Sequence, residues 1–177
     1  MRARRIVVAG PSGSGKTTLA GRIAAATGLP HTELDALYWH AGWTPNPRFE
    51  EEVRALVARD AWVTEFQYGQ VRPLLASRAE LLVQLRLPRA TVLRRVVGRT
   101  LSRRLHRTLM WAGNTEGPLW TFFTDRDHIV RWSMRSVGQV DGWVRAAAAA
   151  NPDLRVVRLR SPRDAERLLA LLHRDAR

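Results

Sequence analysis

The stretch Arg4-Arg5-Ile6-Val7-Val8-Ala9-Gly10-Pro11-Ser12-Gly13-Ser14-Gly15-Lys16-Thr17-Thr18-Leu19 decides how this chain is read. Residues 4–9 are a β-branched run that stops at a glycine, the pattern of a short buried strand. Leu19, Ile23 and Ala26 then recur at helical spacing, with Gly28 and Pro30 as stop signals. Between strand and helix, residues 10–17 match G-x-x-x-x-G-K-[ST] without a mismatch. Glycines at these places let successive backbone N–H groups turn inward as an anion nest at a helix N-terminus. Gly10, Ser12, Gly13, Ser14, Gly15 and Thr18 frame that nest. Lys16 adds a mobile point charge for the outer phosphates, and Thr17 offers a hydroxyl to Mg²⁺. With this composition the pattern arises by chance in roughly one sequence in two thousand. Lys16 is moreover the only lysine of the chain. The segment points to a nucleoside triphosphate.

Outward from it, strand and helix signals alternate. Residues 31–34, 61–66, 81–87 and 154–159 read as further strands. Helices are expected over 46–59, from 90 onward, over 126–150 and after Ser161-Pro162, while 109–125 reads as irregular. Such alternation predicts an α/β domain with a parallel sheet, whose ligands gather at the carboxyl ends of the strands. Those ends lie after Ala9, near Asp35, near Glu65 and after Leu87.

Composition closes off other classes. The 177 residues are 45% hydrophobic and 25% charged, enough for one sizeable core. No apolar run approaches the roughly 18–20 residues of a membrane span. Without cysteine there is no disulfide, thiolate nucleophile or cysteine-based metal site. A cytoplasmic protein, monomer or weak dimer, is expected. The net charge is +13, and Leu81 to Thr115 contain no acid at all. Arg95, Arg99, Arg103 and Arg107 recur every fourth residue there, forming one ridge on a helix: a solvated face, or a grip on bases and phosphates.

Beyond the phosphate loop, Glu33-Leu34-Asp35-Ala36-Leu37-Tyr38-Trp39, Trp62-Val63-Thr64-Glu65 and Arg86-Leu87-Pro88 followed by Arg95 and Arg99 carry a resemblance. The chain resembles the adenylate-kinase-related P-loop kinases, in particular the topology modulation protein branch. The resemblance implies a single domain over 1–177 with a three-layer P-loop NTPase fold and a five-stranded parallel sheet. It also implies a substrate-binding segment at about 31–60 and a helical lid at about 100–130. ATP and Mg²⁺ are the implied cofactors, with Glu65 holding the metal through water although Phe66 stands where the family has glycine. Arg95 and Arg99 fall at the base- and phosphate-contacting positions. Arg72 is the nearest match to a phosphate-gripping arginine, and Arg126, Arg131 and Arg135 to lid arginines. Asp35 either positions and deprotonates an acceptor hydroxyl or caps the turn before Ala36, and Trp39 is a candidate wall of the acceptor pocket.

The expectation is an ATP-dependent phosphotransferase resembling nucleoside monophosphate kinases, with Lys16, Arg99, Asp35 and Glu65 as the catalytic set. No second lysine exists to build the base-reading motif of a Ras-type GTPase. Two rivals stand beside it: an ATP-binding protein whose basic lid tracks nucleic acid, and a small-metabolite hydroxyl kinase that uses Asp35.

Overall fold

The computed structural model describes residues 3–105, 109–114 and 129–176, without the side chains of 103, 104 and 129–137. Four strands, β1 (Arg5–Ala9), β2 (Trp62–Glu65), β3 (Leu81–Leu85) and β4 (Arg155–Leu159), form a parallel sheet in the order β2-β1-β3-β4. The central strand is buried on both faces, which is why it reads as an unbroken apolar run. Its side chains alternate between two cores. Val7 and Ala9 pack with α3 (Phe49–Ala58), α4 (Arg72–Arg78) and α6 (Ile129–Ala150). Ile6 and Val8 pack with α1 (Lys16–Thr27) and α7 (Pro162–Ala176). Each of these fully buried Val and Ile side chains contributes about 1.5–3 kcal/mol of transfer free energy. The result is a three-layer α/β sandwich.

The expected fifth strand is absent from this sheet. Residues 30–32 do run beside β2: the Val63 N–H donates to the Pro30 carbonyl (2.8 Å) and the Thr32 N–H to the Val63 carbonyl (3.0 Å). Only one bridge forms, His31 opposite Val63. Pro30 has no N–H to donate, and the chain turns at Glu33 into the short helix α2 (Leu34–Tyr38). Asp35 therefore lies inside α2, in its first turn, and Glu33 occupies the N-cap position, which corrects the expectation that Asp35 might cap this turn. The helix expected from residue 46 begins at Phe49. Asn46 instead ties the preceding turn to α2, its amide donating to the Leu37 carbonyl (2.8 Å) and its Oδ1 accepting from the Arg48 N–H (2.9 Å). The helix α5 (Arg89–Leu105) buries Val92 and Val96, but Val97, Leu101 and Leu105 are exposed, so its apolar stripe loses its cover after two turns.

Helix α7 starts with a reciprocal cap. The Asp164 carboxylate accepts from the Arg160 and Ser161 N–H groups (2.8 and 2.9 Å), and the Asp164 N–H donates to the Ser161 hydroxyl (3.3 Å). The Arg160 amide and the Ser161 hydroxyl hold the Asp164 carboxyl below its ordinary 3.8. A depressed carboxyl gives stability that is present above the unfolded pKa and lost as pH falls through the folded one. We expect Asp164→Asn to lower the melting temperature at pH 7, with the gap to wild type closing below pH 3.8. Melting curves across that range test the expectation.

Candidate active site

The loop after β1 is built from left-handed glycines. Gly13 has φ +78° and Gly15, the N-cap of α1, has φ +94°. Both conformations are strained for any residue with a Cβ, and they turn the backbone amides toward the loop's hollow. The loop closes on the Pro11 carbonyl, which accepts from the Ser14 N–H (3.1 Å) and from Lys16 Nζ (3.3 Å). Gly10 is buried and Ser12 half-buried in the same loop, and Thr18 points outward in the first turn of α1.

Helix α5 packs on this loop. A Cβ on Gly13 would lie 2.0 Å from Val96 Cγ2, so the glycine is required by space as well as by φ. Gly13→Ala is expected to cost about 1–3 kcal/mol for overpacking and about 1–2 more for the left-handed residue. Urea unfolding measures this, and the shorter Val96→Ala side chain should restore only the overpacking part in the double variant. The preceding residue of α5, Arg95, donates to the Ser14 carbonyl (3.1 Å). Arg99 is half-buried, and its charge opposes that of Lys16. Arg95 and Arg99 are thus brought to the phosphate loop, whereas Arg107 lies outside the described residues, as does the side chain of Arg103.

Two carboxylates face Lys16. Burial lowers the Lys16 pKa, while Asp35 and Glu65 act in the other direction. Asp35 Oδ1 accepts from the Tyr68 hydroxyl (2.5 Å) and from the Gln67 amide (2.8 Å). Both bonds use one oxygen, and Oδ2 has no hydrogen bond among the described residues. Burial pushes the Asp35 carboxyl up, against the pull of Tyr68 and Lys16. Burial and the Asp35 charge push the Tyr68 hydroxyl far above its ordinary value, so it remains a donor. Tyr68 stacks on Tyr38 (4.2 Å between centroids), and Tyr38 in turn meets Trp39 edge-on (4.7 Å). Trp39 thus stands in the aromatic group beside Asp35, and Trp43 extends it (5.4 Å).

Glu65 ends β2 with only 1% exposure. Its Oε2 accepts from the Leu34 N–H (3.1 Å), and its Oε1 has no hydrogen-bond partner among the described residues. Burial alone would raise its pKa; the facing His31, the Leu34 amide and the Thr17 hydroxyl outweigh it and hold the carboxyl below the usual range. An unsatisfied carboxylate oxygen facing the loop's Thr hydroxyl fits a divalent cation. Phe66 does not intrude. Strand alternation sends its ring into the core (2% exposed), and its N–H donates to the Val8 carbonyl (2.8 Å).

Arg72 opens α4, its guanidinium 3.9 Å over the Trp143 ring and without a carboxylate partner among the described residues. Arg126 lies outside the described residues, as do the side chains of Arg131 and Arg135. Sequence reading missed His31, Gln67, Tyr68 and Asn114. Asn114 joins the stem of the expected lid to residues 40–43. Its Oδ1 accepts from the Trp43 N–H (3.1 Å), and its amide donates to the His40 and Trp111 carbonyls (2.9 Å each). Trp111 adds a bond from its indole to Glu33 (2.8 Å). The one available signal was for Gln67 and Tyr68, which directly follow a strand end, where α/β sheets bind ligands.

No protein-family model matches the chain, and no curated protein sequence does. Among solved structures, the chain is similar to shikimate kinase from Acinetobacter baumannii in complex with shikimate, with TM-score 0.54 and 19% identity over 97% of this chain and 94% of that one. It is similar also to the shikimate kinase of Aquifex aeolicus (TM-score 0.50, 15% identity, 99% and 98% covered). A third is that of Bacteroides thetaiotaomicron (TM-score 0.50, 15% identity, 97% of each chain). The likeness does not single out the adenylate-kinase-related branch. Together with the intact phosphate loop, it shows that this chain has the P-loop kinase fold.

Proposed function

We propose that the protein is an ATP-dependent kinase of a small hydroxyl-bearing acceptor. The observation that carries this reading is Asp35, a carboxylate with one oxygen held by Tyr68 and Gln67 and the other open, facing the charge of Lys16. A hydroxyl acceptor needs a base as it attacks; a phosphate acceptor, already ionised, does not. A shikimate kinase in complex with shikimate among the structures of like fold supports the same class of acceptor.

In this mechanism the loop amides of 13–17 and Lys16 hold the triphosphate, with Arg95 and Arg99 reaching it from α5. Asp35 takes the acceptor's proton as its oxygen bonds to the γ-phosphorus and the bond to the ADP oxygen breaks in line. Thr17 and Glu65, the latter through water, would hold Mg²⁺, which when bound neutralises charge on the transferring phosphoryl group. Trp39 lines the acceptor's side, and Arg72 meets any anionic group it carries. The expected closure of 100–135, a segment much of which, with the Arg131 side chain, lies outside the described residues, would keep water from the γ-phosphate.

Nucleic acid is the weaker partner. Arg95 and Arg99 are assigned to the triphosphate, and Arg86 lies 3.3 Å from Asp141, so part of the basic surface has another use. Among the described residues no helix is long and apolar enough to cross a membrane. A coupled assay with ATP and Mg²⁺ against polyols, hydroxy acids, nucleosides, nucleoside monophosphates and 5′-hydroxyl oligonucleotides tests the reading. Turnover of small hydroxyl compounds is expected. Turnover confined to nucleoside monophosphates or oligonucleotides would refute it.

A further inference from the structure

We propose that His31 is a metal ligand, and that with Glu65 and the Thr17 hydroxyl it frames a site preferring Mn²⁺ or Co²⁺ to Mg²⁺. The proposal deepens the kinase reading and rests on it only for the ion's role beside the nucleotide. Two buried donors face each other here without hydrogen bonds. Neither His31 Nε2 nor Glu65 Oε1 has a partner among the described residues, and they lie 3.7 Å apart, too far to bond directly. Their side chains are 18% and 1% exposed. Leaving two such atoms unsatisfied is costly, and an ion between them would satisfy both. Cis donors about 2.1 Å from an octahedral ion lie about 3.0 Å apart, so about 0.7 Å of side-chain movement would bring His31 Nε2 and Glu65 Oε1 directly onto Mn²⁺ or Co²⁺, in place of the water through which Glu65 holds Mg²⁺.

The surroundings support a built site. The Leu34 N–H fixes the second Glu65 oxygen (3.1 Å), and the Thr17 hydroxyl faces the same carboxylate. His31 also lines an open cleft of about 690 Å³ together with Glu33 and Trp111. Among the described residues no group of three or more His, Asp or Glu side chains could hold a metal ion, so water and phosphate oxygens would have to complete the set around His31, Glu65 and Thr17. An imidazole in the set favours first-row transition metals, whereas Mg²⁺ prefers oxygen donors and keeps its waters.

The test is pulsed electron paramagnetic resonance on the full-length protein with Mn²⁺, with and without ADP. The wild type is expected to show coupling to an imidazole nitrogen, and His31→Gln to lose it. A Mn²⁺ titration should weaken in that variant by at least about tenfold, since even partners one shell further from a metal cost that much. Excess Mg²⁺ should displace Mn²⁺ poorly from the wild type and readily from the variant. Mn²⁺ bound without nitrogen coupling, or bound equally by both proteins, overturns the proposal and leaves His31 as a neighbour of Glu65. Should the variant fail to fold, the wild-type spectrum decides alone. None of these outcomes touches the kinase reading, which stands or falls on phosphoryl transfer with Mg²⁺.

Discussion

Lys16→Ala lowers phosphoryl transfer by at least about 10²–10³-fold, the loss found when one preorganised donor to a developing anion is removed. The true drop should be larger, because no other lysine exists to substitute and the arginines of α5 are anchored on a separate element. The folded state should not suffer. Among the described residues Lys16 Nζ has one hydrogen bond, a long one of 3.3 Å to the Pro11 carbonyl, and burial lowers its pKa, so its charge is held at a cost. The variant is expected to melt at or above the wild-type temperature while losing the rise in melting temperature that ATP and Mg²⁺ confer on the wild type. A purified, folded variant that still turns over would remove Lys16 from the chemistry.

Asp35→Asn separates the classes of acceptor. With a hydroxyl acceptor the rate falls by about 10²–10⁴-fold, the usual worth of a positioned base. Protection by ATP persists, because the triphosphate is held by the loop. Stability moves the other way. Burial raises the Asp35 pKa, so the ionised form opposes folding at every pH above the folded value, and the neutral amide relieves this. The amide oxygen still accepts from Tyr68 and Gln67. Lower activity with equal or higher melting temperature is the expected pair of results; loss of both would make Asp35 a structural residue.

The phosphate loop was legible because its signals are local: an apolar run, glycines at fixed intervals, and one lysine where the motif requires it. The helix of Arg95 and Arg99 was legible for the same reason, since their four-residue spacing places both on the face that meets the loop. What escaped was made by contacts across the fold. Tyr68 and Gln67 lie 33 and 32 positions from Asp35, and Asn114 lies 71 from Trp43. No periodicity records such pairings. The fifth strand failed on detail, because Pro30 and the turn at Glu33 stop an apparent strand after a single bridge. Phe66, by contrast, could have been placed by alternation: if Glu65 points to the crevice, its neighbour must point to the core.

The Asn114 bonds to Trp43 and His40 also bear on how specificity in this molecule can be re-engineered. Residues 40–43 and 111–114 form one cassette, because the Asn114 side-chain amide is bonded to the backbone of both His40 and Trp43. Transplanting either piece alone from a relative should yield a chimaera with a dangling amide and a misplaced tryptophan, whereas exchanging the two together should carry a foreign preference across intact.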